Sequence, residues 1–268
     1  MLSVHTNYAS NVAQNAVNKN NSLLTTSMER LSTGLRINNA SDDAAGLQIA
    51  SRLNANVVGM ETASRNVSDA TSMLQTADGA LDELNTIANR QKELATQAAN
   101  GVNSAEDLTA LNAEYKELTA EIDRIVGSTE YAGNNLFTSL DAGVQFQIGA
   151  GSAETLAVKT DVVAKLAGDA TDISVIGDAS KAIDAIDDFI DAVGVERSNL
   201  GANINRLGHT SSNLANVTEN TKAAAGRIMD ADFAVETANM TKNQLLVQAG
   251  TSILSSANQN TGLVMGLL

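Results

Sequence analysis

A seven-residue repeat of apolar side chains runs from Leu53 to Ala88 and constrains the fold of this chain more than any other feature. The repeat has one set of positions seven apart and a second set, mostly alanine, that follows three residues later. The first set is Leu53, Met60, Val67, Leu74, Leu81 and Ala88, and the second is Ala63, Ala70, Ala77 and Leu84. Alternating steps of three and four are typical of a coiled-coil helix, and small residues let a partner helix approach closely. The pattern predicts one helix from Asp43 to about Asn100, with Ser41 as its N-cap and the two following aspartates as an acidic first turn.

The composition favours unbroken helices. The 268 residues include no proline, whereas average composition would supply about a dozen, and proline disrupts a helix interior. A helix of about 58 residues would span roughly 87 Å, but a compact chain of this length would be only roughly 50 Å across. We therefore expect an elongated molecule.

Two further segments show the same alternation. Apolar residues at positions 108–125 lie between Ser104, a suitable N-cap, and Gly127, a suitable stop. Residues 183–218 continue the pattern with a few polar members, among them Arg197. Three amphipathic helices with a period of 3.5 predict a mainly α fold, an antiparallel helical rod with left-handed packing.

The middle of the chain has a different character. Residues 144–148 alternate strictly between apolar and polar, a glycine-rich turn follows, and residues 155–160 resume the alternation. This pattern predicts a small β-hairpin. Residues 161–191 contain eight aspartates and two lysines, which indicates a solvated surface insert.

The two ends of the chain carry matching apolar stripes. In the N-terminal segment the stripe comprises Val17, Leu24, Met28, Leu31 and Leu35. In the C-terminal segment it comprises Phe233, Met240, Leu245, Leu246, Val247, Ile253 and Leu254. A stripe as broad as the C-terminal one needs more than one neighbour. We therefore expect the ends to pair as a coiled coil and then to contact other copies of the chain. All of these residues except Leu245 are the predicted assembly residues.

Charge and cysteine content exclude several classes of function. The chain has 17 Lys and Arg against 31 Asp and Glu, a formal charge of −14, which argues against nucleic acid and anionic membrane surfaces as partners. It has no cysteine, so disulfides and thiolate metal sites are excluded. No run of 18 apolar residues occurs, and no lysine or arginine precedes Lys19. We expect neither a transmembrane helix nor a cleaved secretory signal.

No motif for catalysis or for cofactor binding is present. The sequence contains no HExxH, phosphate-loop or GxSxG pattern. His5 and His209 have no second ligand residue at a suitable spacing. The sequence therefore predicts a protein that is not an enzyme and that has no catalytic residues, metal site or cofactor.

Both ends of the chain carry distinctive motifs. Residues 31–38 read LSTGLRIN and residues 42–47 read DDAAGL; near the C-terminus, residues 227–233 read RIMDADF and residues 236–244 read ETANMTKNQ. In these motifs both ends resemble bacterial flagellins. With the chain ends themselves, the similarity covers about residues 1–138 and 180–268.

The resemblance implies a subunit of the helical flagellar filament that serves swimming motility. Residues 1–42 and 224–268 would form the coiled coil of the filament core, residues 43–138 and 180–223 a helical rod domain with its β-hairpin, and residues 139–179 a short variable surface insert. Flagellins leave the cell unfolded through the export apparatus without a cleaved signal, and they assemble at the distal tip. The implied partners are further copies, an export chaperone, the filament cap and the hook–filament junction proteins, and the implied location is the extracellular filament.

A second implication concerns innate immunity. Residues 90–97 are similar to the segment by which a host Toll-like receptor recognises many flagellins. The matching positions are Arg90 and Leu94, together with Glu114 in the next helix. The same surface packs between subunits of filaments in this family, so assembly alone would also account for these residues.

Two alternatives stay open at this point. A hook–filament junction protein shares the terminal helices of flagellins, and a secreted coiled-coil effector would share the heptads. An enzyme within the central region, as some flagellins carry, would require the missing HExxH motif.

Overall fold

The structure is a computed structural model that describes residues 7–160 and 173–265. Predictions that concern His5 and residues 161–172 of the acidic insert lie outside the described residues. The helices are α1 (Tyr8–Thr33), α2 (Ala44–Ala98), α3 (Ala105–Ser128), α4 (Leu136–Ala142), α5 (Ile176–Met229) and α6 (Phe233–Met265). The strands are β1 (Glu130–Tyr131), β2 (Asn134–Asn135), β3 (Val144–Gln147) and β4 (Thr155–Val158).

The chain divides into two compact units, which we describe separately. The terminal unit comprises Met1–Ala55 and Asn220–Leu268, and the central unit comprises Asn56–Glu219. In the terminal unit, α1 packs against α6 along most of its length. We call this pair of helices the terminal hairpin.

The core of the central unit follows the heptad repeat of α2. Leu74, Leu81 and Leu84 are fully buried there, against Leu200 and Leu207 of α5 and further residues of α3, α4 and β4. All predicted seam residues are buried except Leu53, which is half-buried and belongs to the terminal unit. The prediction of one long helix is confirmed, since α2 has 55 residues without interruption.

The starts of α2 and α3 show how local sequence sets helix boundaries. The carboxylate of Asp43 accepts a hydrogen bond from the Gly46 amide at 2.8 Å, so Asp43 is the cap of α2 and the prediction of Ser41 was wrong. At α3, Ser104 is the cap as predicted, and Asp107 completes a reciprocal capping box with it. Hydrogen bonds from Ser104 hold the pKa of Asp107 below its ordinary value.

The predicted β-hairpin is confirmed. Strands β3 and β4 pair antiparallel, with Val144 opposite Val158, and Leu156 and Val158 are buried in the core of the central unit. The short β1–β2 hairpin was not predicted. Its turn residues Ala132 and Gly133 both have positive φ, 51° and 81°, as a tight two-residue hairpin turn requires.

Candidate assembly and recognition surfaces

The interface between α1 and α6 is a coiled-coil seam made largely of small and polar side chains. Buried and half-buried residues recur at steps of three and four along both helices. On α1 they are Ser10, Ala13, Val17, Asn20, Leu24, Ser27 and Leu31, and on α6 they are Glu236, Met240, Asn243, Val247, Gly250, Leu254 and Ala257. The predicted period is therefore present, but the seam buries few large apolar groups.

Close approach of the two helices depends on Gly250. A Cβ atom at this position would lie 2.6 Å from Cγ2 of Val17, which is too close for a side chain. Nearer the free end of the hairpin, Asn7 donates to the carbonyl oxygen of Ala257 at 2.9 Å. These contacts set the α1–α6 register at one end of the seam.

Backbone hydrogen bonds close the other end of the hairpin. Leu35 pairs with Asp230 in an isolated antiparallel bridge, and the Ala231 amide donates to the carbonyl oxygen of Gly34 at 2.9 Å. Gly34 ends α1 in the left-handed conformation, at φ 73°, which glycine adopts without strain. The segment that follows α1 and the segment that precedes α6 are therefore hydrogen-bonded to each other beside the last turn of α1.

One ion pair crosses the seam. Nη1 of Arg30 lies 3.1 Å from Oε1 of Glu236, with 28% and 9% of their side chains exposed. Sequence reasoning missed this pair because Glu236 was assigned only to a family motif. The available signal was its position seven residues before Asn243, which places the carboxylate in the seam rather than on the solvent face.

The predicted assembly residues fall into two groups. Val17, Leu24, Leu31, Leu35, Met240, Val247 and Leu254 are half-buried within the terminal hairpin. Met28, Phe233, Leu246 and Ile253 are exposed, with between 41% and 60% of their surface accessible. Val12, Leu23, Val235 and Leu245 are exposed as well. We call these eight exposed residues the outer apolar face.

Part of this face forms a groove between α1 and α6. The groove has a volume of about 440 Å³ and is lined almost entirely by apolar groups. Its lining includes Tyr8, Val12 and Ala16 of α1 and Gly250 and Ile253 of α6. Both helices contribute to it, so the groove exists only when the hairpin is formed.

The residues predicted for receptor recognition do not share one environment. Arg90 on α2 is exposed and bonds Glu114 of α3 through two nitrogens, at 2.8 and 3.1 Å, and Glu93 at 2.9 Å. The bonds to Glu114, and then to Glu93, raise the pKa of Arg90. Leu94 is buried, with 2% of its surface exposed, in the core of the central unit. Only Arg90 and Glu114 of the three therefore present side chains to a partner.

A second arginine ties two helices of the central unit together. Nε of Arg197 on α5 lies 2.9 Å from Asp78, and Nη1 lies 2.6 Å from Asp82, both on α2. The hydrogen bond that Arg197 donates to the Asp78 carboxylate is the largest cause that raises the pKa of Arg197. Lys92 and Asp187 form a further ion pair between the same helices. These ion pairs join α2 and α5 within the central unit.

Within residues 7–160 and 173–265, no three His, Cys, Asp or Glu side chains come together as a metal site would require. His209 lies exposed on α5. None of the described helices is both long enough and apolar enough to cross a membrane.

Comparisons with known proteins match both ends of the chain. Residues 4–141 match the family model of the bacterial flagellin N-terminal helical region, and residues 183–268 match that of the C-terminal helical region. A flagellin of Halalkalibacterium halodurans is 45% identical over 245 residues, which cover 90% of each chain. The crystal structure of Bacillus cereus flagellin is 36% identical, with a TM-score of 0.52 over 56% of this chain and 88% of that one. A putative flagellar hook-associated protein from Vibrio parahaemolyticus has a TM-score of 0.61 but only 14% identity, covering 70% of this chain and 100% of that one, and shows a likeness of fold alone.

Proposed function

The chain belongs to the bacterial flagellin family and is a structural subunit of the flagellar filament. We propose that the outer apolar face of its terminal hairpin holds neighbouring subunits together. The observation that carries this proposal is the distribution of apolar groups in the hairpin. Eight of the fourteen seam residues are small or polar, whereas Phe233, Leu245 and Ile253 are each about 60% exposed. A single copy of the chain leaves this face in contact with water.

The number of exposed apolar side chains on these two helices favours a protein partner. Contiguous exposed apolar surface is rare on a monomer and usually marks an interaction site, and the groove that includes Val12 and Ile253 is surface of this kind. Burying the exposed part of one such side chain would contribute about 1 kcal/mol. Eight residues acting together would then give several kcal/mol per subunit, which is sufficient to drive ordered assembly. A second copy of the hairpin is the occupant that fits a homopolymer.

Two substitutions on the outer apolar face test this proposal. Leu245→Gln and Ile253→Gln change exposed side chains, so the hairpin itself should form as before. We expect each variant to raise the concentration of subunits that coexists with preformed filaments by about fivefold, equivalent to about 1 kcal/mol.

The matched control is Val175→Gln, which alters a 58% exposed valine in the central unit. It should leave that concentration within about twofold of the parent value. Unchanged assembly of both hairpin variants, measured by sedimentation and electron microscopy, would refute the role of this face.

A second candidate function is recognition by a host Toll-like receptor. It is supported by the exposed Arg90–Glu114 pair, which offers a cation and a carboxylate at the surface of the central unit. Arg90→Ala monomers should bind the receptor at least about tenfold more weakly, since a charged hydrogen bond contributes about 1.5–3 kcal/mol. Arg124→Ala is the control, because Arg124 is also exposed and paired, with Glu121. Equal binding of the Arg90→Ala variant and the parent would exclude Arg90 from the receptor site.

The finer aspects of assembly follow from family membership. We infer that the subunits pass through the flagellar export apparatus with a chaperone, without a cleaved signal, and add beneath a cap at the distal tip of an extracellular filament. The first copies would contact the hook–filament junction proteins. A junction protein is the alternative role for this chain, and filament growth by the purified protein, followed by length measurement, separates the two. A junction protein would not extend into long filaments.

A further inference from the structure

The loop between α2 and α3 contains Asn100–Gly101, the one Asn-Gly step in the sequence. We propose that Asn100 is a site of spontaneous deamidation in the folded protein, where the side-chain amide becomes an aspartate or isoaspartate carboxylate. This inference concerns the chemistry of the loop and does not depend on the proposed assembly surface.

The reaction needs only water. The backbone nitrogen of Gly101 loses its proton to solvent base and attacks Cγ of Asn100. A bond forms between that nitrogen and Cγ, the Cγ–Nδ2 bond breaks, and Nδ2 takes up a proton and departs as ammonia. The product on the chain is a five-membered succinimide ring. Water then adds to either ring carbonyl and opens the ring. One water is consumed and one ammonia is released, with no oxidation or reduction.

The attacking nitrogen is accessible in this structure. Asn100 and Gly101 are both exposed, and a Cβ atom built on Gly101 would meet nothing within 4 Å. Among the residues that the structure describes, none accepts a hydrogen bond from the Gly101 amide. Glycine also offers no side chain to hinder the ring closure and allows the backbone the widest freedom. Neither sterics nor hydrogen bonding holds this nucleophile in place.

The carbon that is attacked, Cγ of Asn100, is polarised by the backbone amide of Val102. The Val102 N–H donates to Oδ1 of Asn100 at 3.4 Å. Negative charge develops on that oxygen when Gly101 attacks, and a hydrogen-bond donor aimed at it stabilises the tetrahedral intermediate. Val102 therefore assists the step through its backbone.

Asn103 in the same loop provides an internal comparison. Its side-chain nitrogen donates to the carbonyl oxygen of Gln97 at 2.6 Å. The amide of the following residue, Ser104, donates to Oδ2 of Asp107 at 3.0 Å. The leaving group and the nucleophile are both held at this asparagine, so the structure assigns deamidation to Asn100 and not to Asn103.

Deamidation would change the end of α2. It adds a negative charge to a chain that already carries a formal charge of −14, two residues beyond the last residue of the helix. Carboxylates near a helix C-terminus oppose the helix dipole. We expect the modified loop to fray more readily than the parent loop.

The test uses the soluble full-length chain, incubated in ¹⁸O-labelled water at neutral and at mildly alkaline pH and then mapped by peptide mass spectrometry. We expect label at Asn100 at least about tenfold faster than at Asn103, equivalent to about 1.4 kcal/mol in activation free energy, with a rate that rises with pH. Gly101→Val, which fits the open space at this position, should suppress the label at Asn100.

A synthetic peptide of residues 97–104 serves as the unfolded reference, in which neither asparagine is held by the fold. Labelling of Asn100 in the protein at the peptide's rate or faster supports the proposal. Equal rates at Asn100 and Asn103 in the protein, or slower labelling of Asn100 in the protein than in the peptide, would overturn it.

Discussion

Removing either member of the Arg30–Glu236 ion pair should weaken the terminal hairpin, but not by the same amount. The two side chains meet at 3.1 Å, and only 9% of the glutamate is exposed compared with 28% of the arginine. Arg30→Met leaves a carboxylate buried in the seam without a cation, whereas Glu236→Gln leaves a guanidinium that can still reach water. The glutamate is therefore the more costly group to leave unpaired.

The expected magnitudes follow from this difference in burial. An uncompensated buried charge costs about 3–5 kcal/mol, and we assign Arg30→Met the low end, about 3 kcal/mol, because 9% of the Glu236 side chain remains exposed. A lost hydrogen bond to a charged group costs about 1.5 kcal/mol at the low end of its range, which we assign to Glu236→Gln. In the double variant neither charge remains. Its cost should therefore fall short of the sum of the single costs by about 2 kcal/mol, within the range for residues in contact.

The assay is the concentration of free subunits in equilibrium with preformed filaments, because the contacts proposed between subunits require an intact hairpin. Each 1.4 kcal/mol raises this concentration about tenfold, so Arg30→Met should raise it by about two orders of magnitude. Arg124→Met is the control, because the Arg124–Glu121 pair is exposed, with 61% and 42% of the side chains accessible. Exposed pairs contribute about 0–1 kcal/mol. Equal effects of the two single variants, together with strict additivity in the double variant, would show that the pair does not act as a buried unit.

Three further outcomes follow from the structure. Gly250→Val should destabilise the hairpin by about 1–3 kcal/mol through overpacking against Val17. Gly194→Ala should instead stabilise α5 by up to about 1 kcal/mol, because a Cβ atom at Gly194 meets nothing within 4 Å. Filament melting temperatures distinguish the two variants. Leu84→Ala, at a fully buried position, should cost about 2–5 kcal/mol in urea unfolding of the soluble chain. Backbone hydrogen bonds hold the pKa of Asp42 below its ordinary value of 3.8, so its contribution is present above that pH and is lost as the pH falls through the depressed pKa. The stability difference between the parent and Asp42→Asn should therefore shrink on acidification, and a constant difference down to strongly acidic pH would contradict this.

The sequence predicted the helices of the central unit well because they obey local rules. Leu74 and Leu81 belong to a repeat that one helix can express by itself, and the repeat also shows which face is buried. Ser104 was correctly identified as a cap because its side chain bonds within three residues. In such cases the information lies within one or two turns of the residue concerned.

The terminal hairpin was predicted less completely. The period of its seam was correct, but Met28 was placed in the stripe while the structure places Ser27 in the seam and exposes Met28. A helix with few large apolar residues leaves neighbouring positions almost equal in hydrophobicity. The choice between them depends on the partner helix, where Gly250 allows close contact with Val17.

The candidate recognition site shows the same limit. Similarity to flagellins brought Arg90, Leu94 and Glu114 together, and the structure pairs the two charged residues. It also buries Leu94 in the core. Whether a leucine on an amphipathic helix faces a core or a partner is decided by the helices packed around it, which sequence alone does not show.

The sequence by itself determined the helical class of this protein, the length of its helices and its family, because helical periodicity, the absence of proline and terminal motifs are properties of the chain. Tertiary structure alone decided which side chains meet across the hairpin and which remain outside. The Arg30–Glu236 pair joins residues 206 positions apart, and the outer apolar face consists of the apolar side chains that the seam leaves exposed. Both depend on the register between α1 and α6, which are far apart in the sequence. That register is set by packing between the helices rather than by local conformational preference.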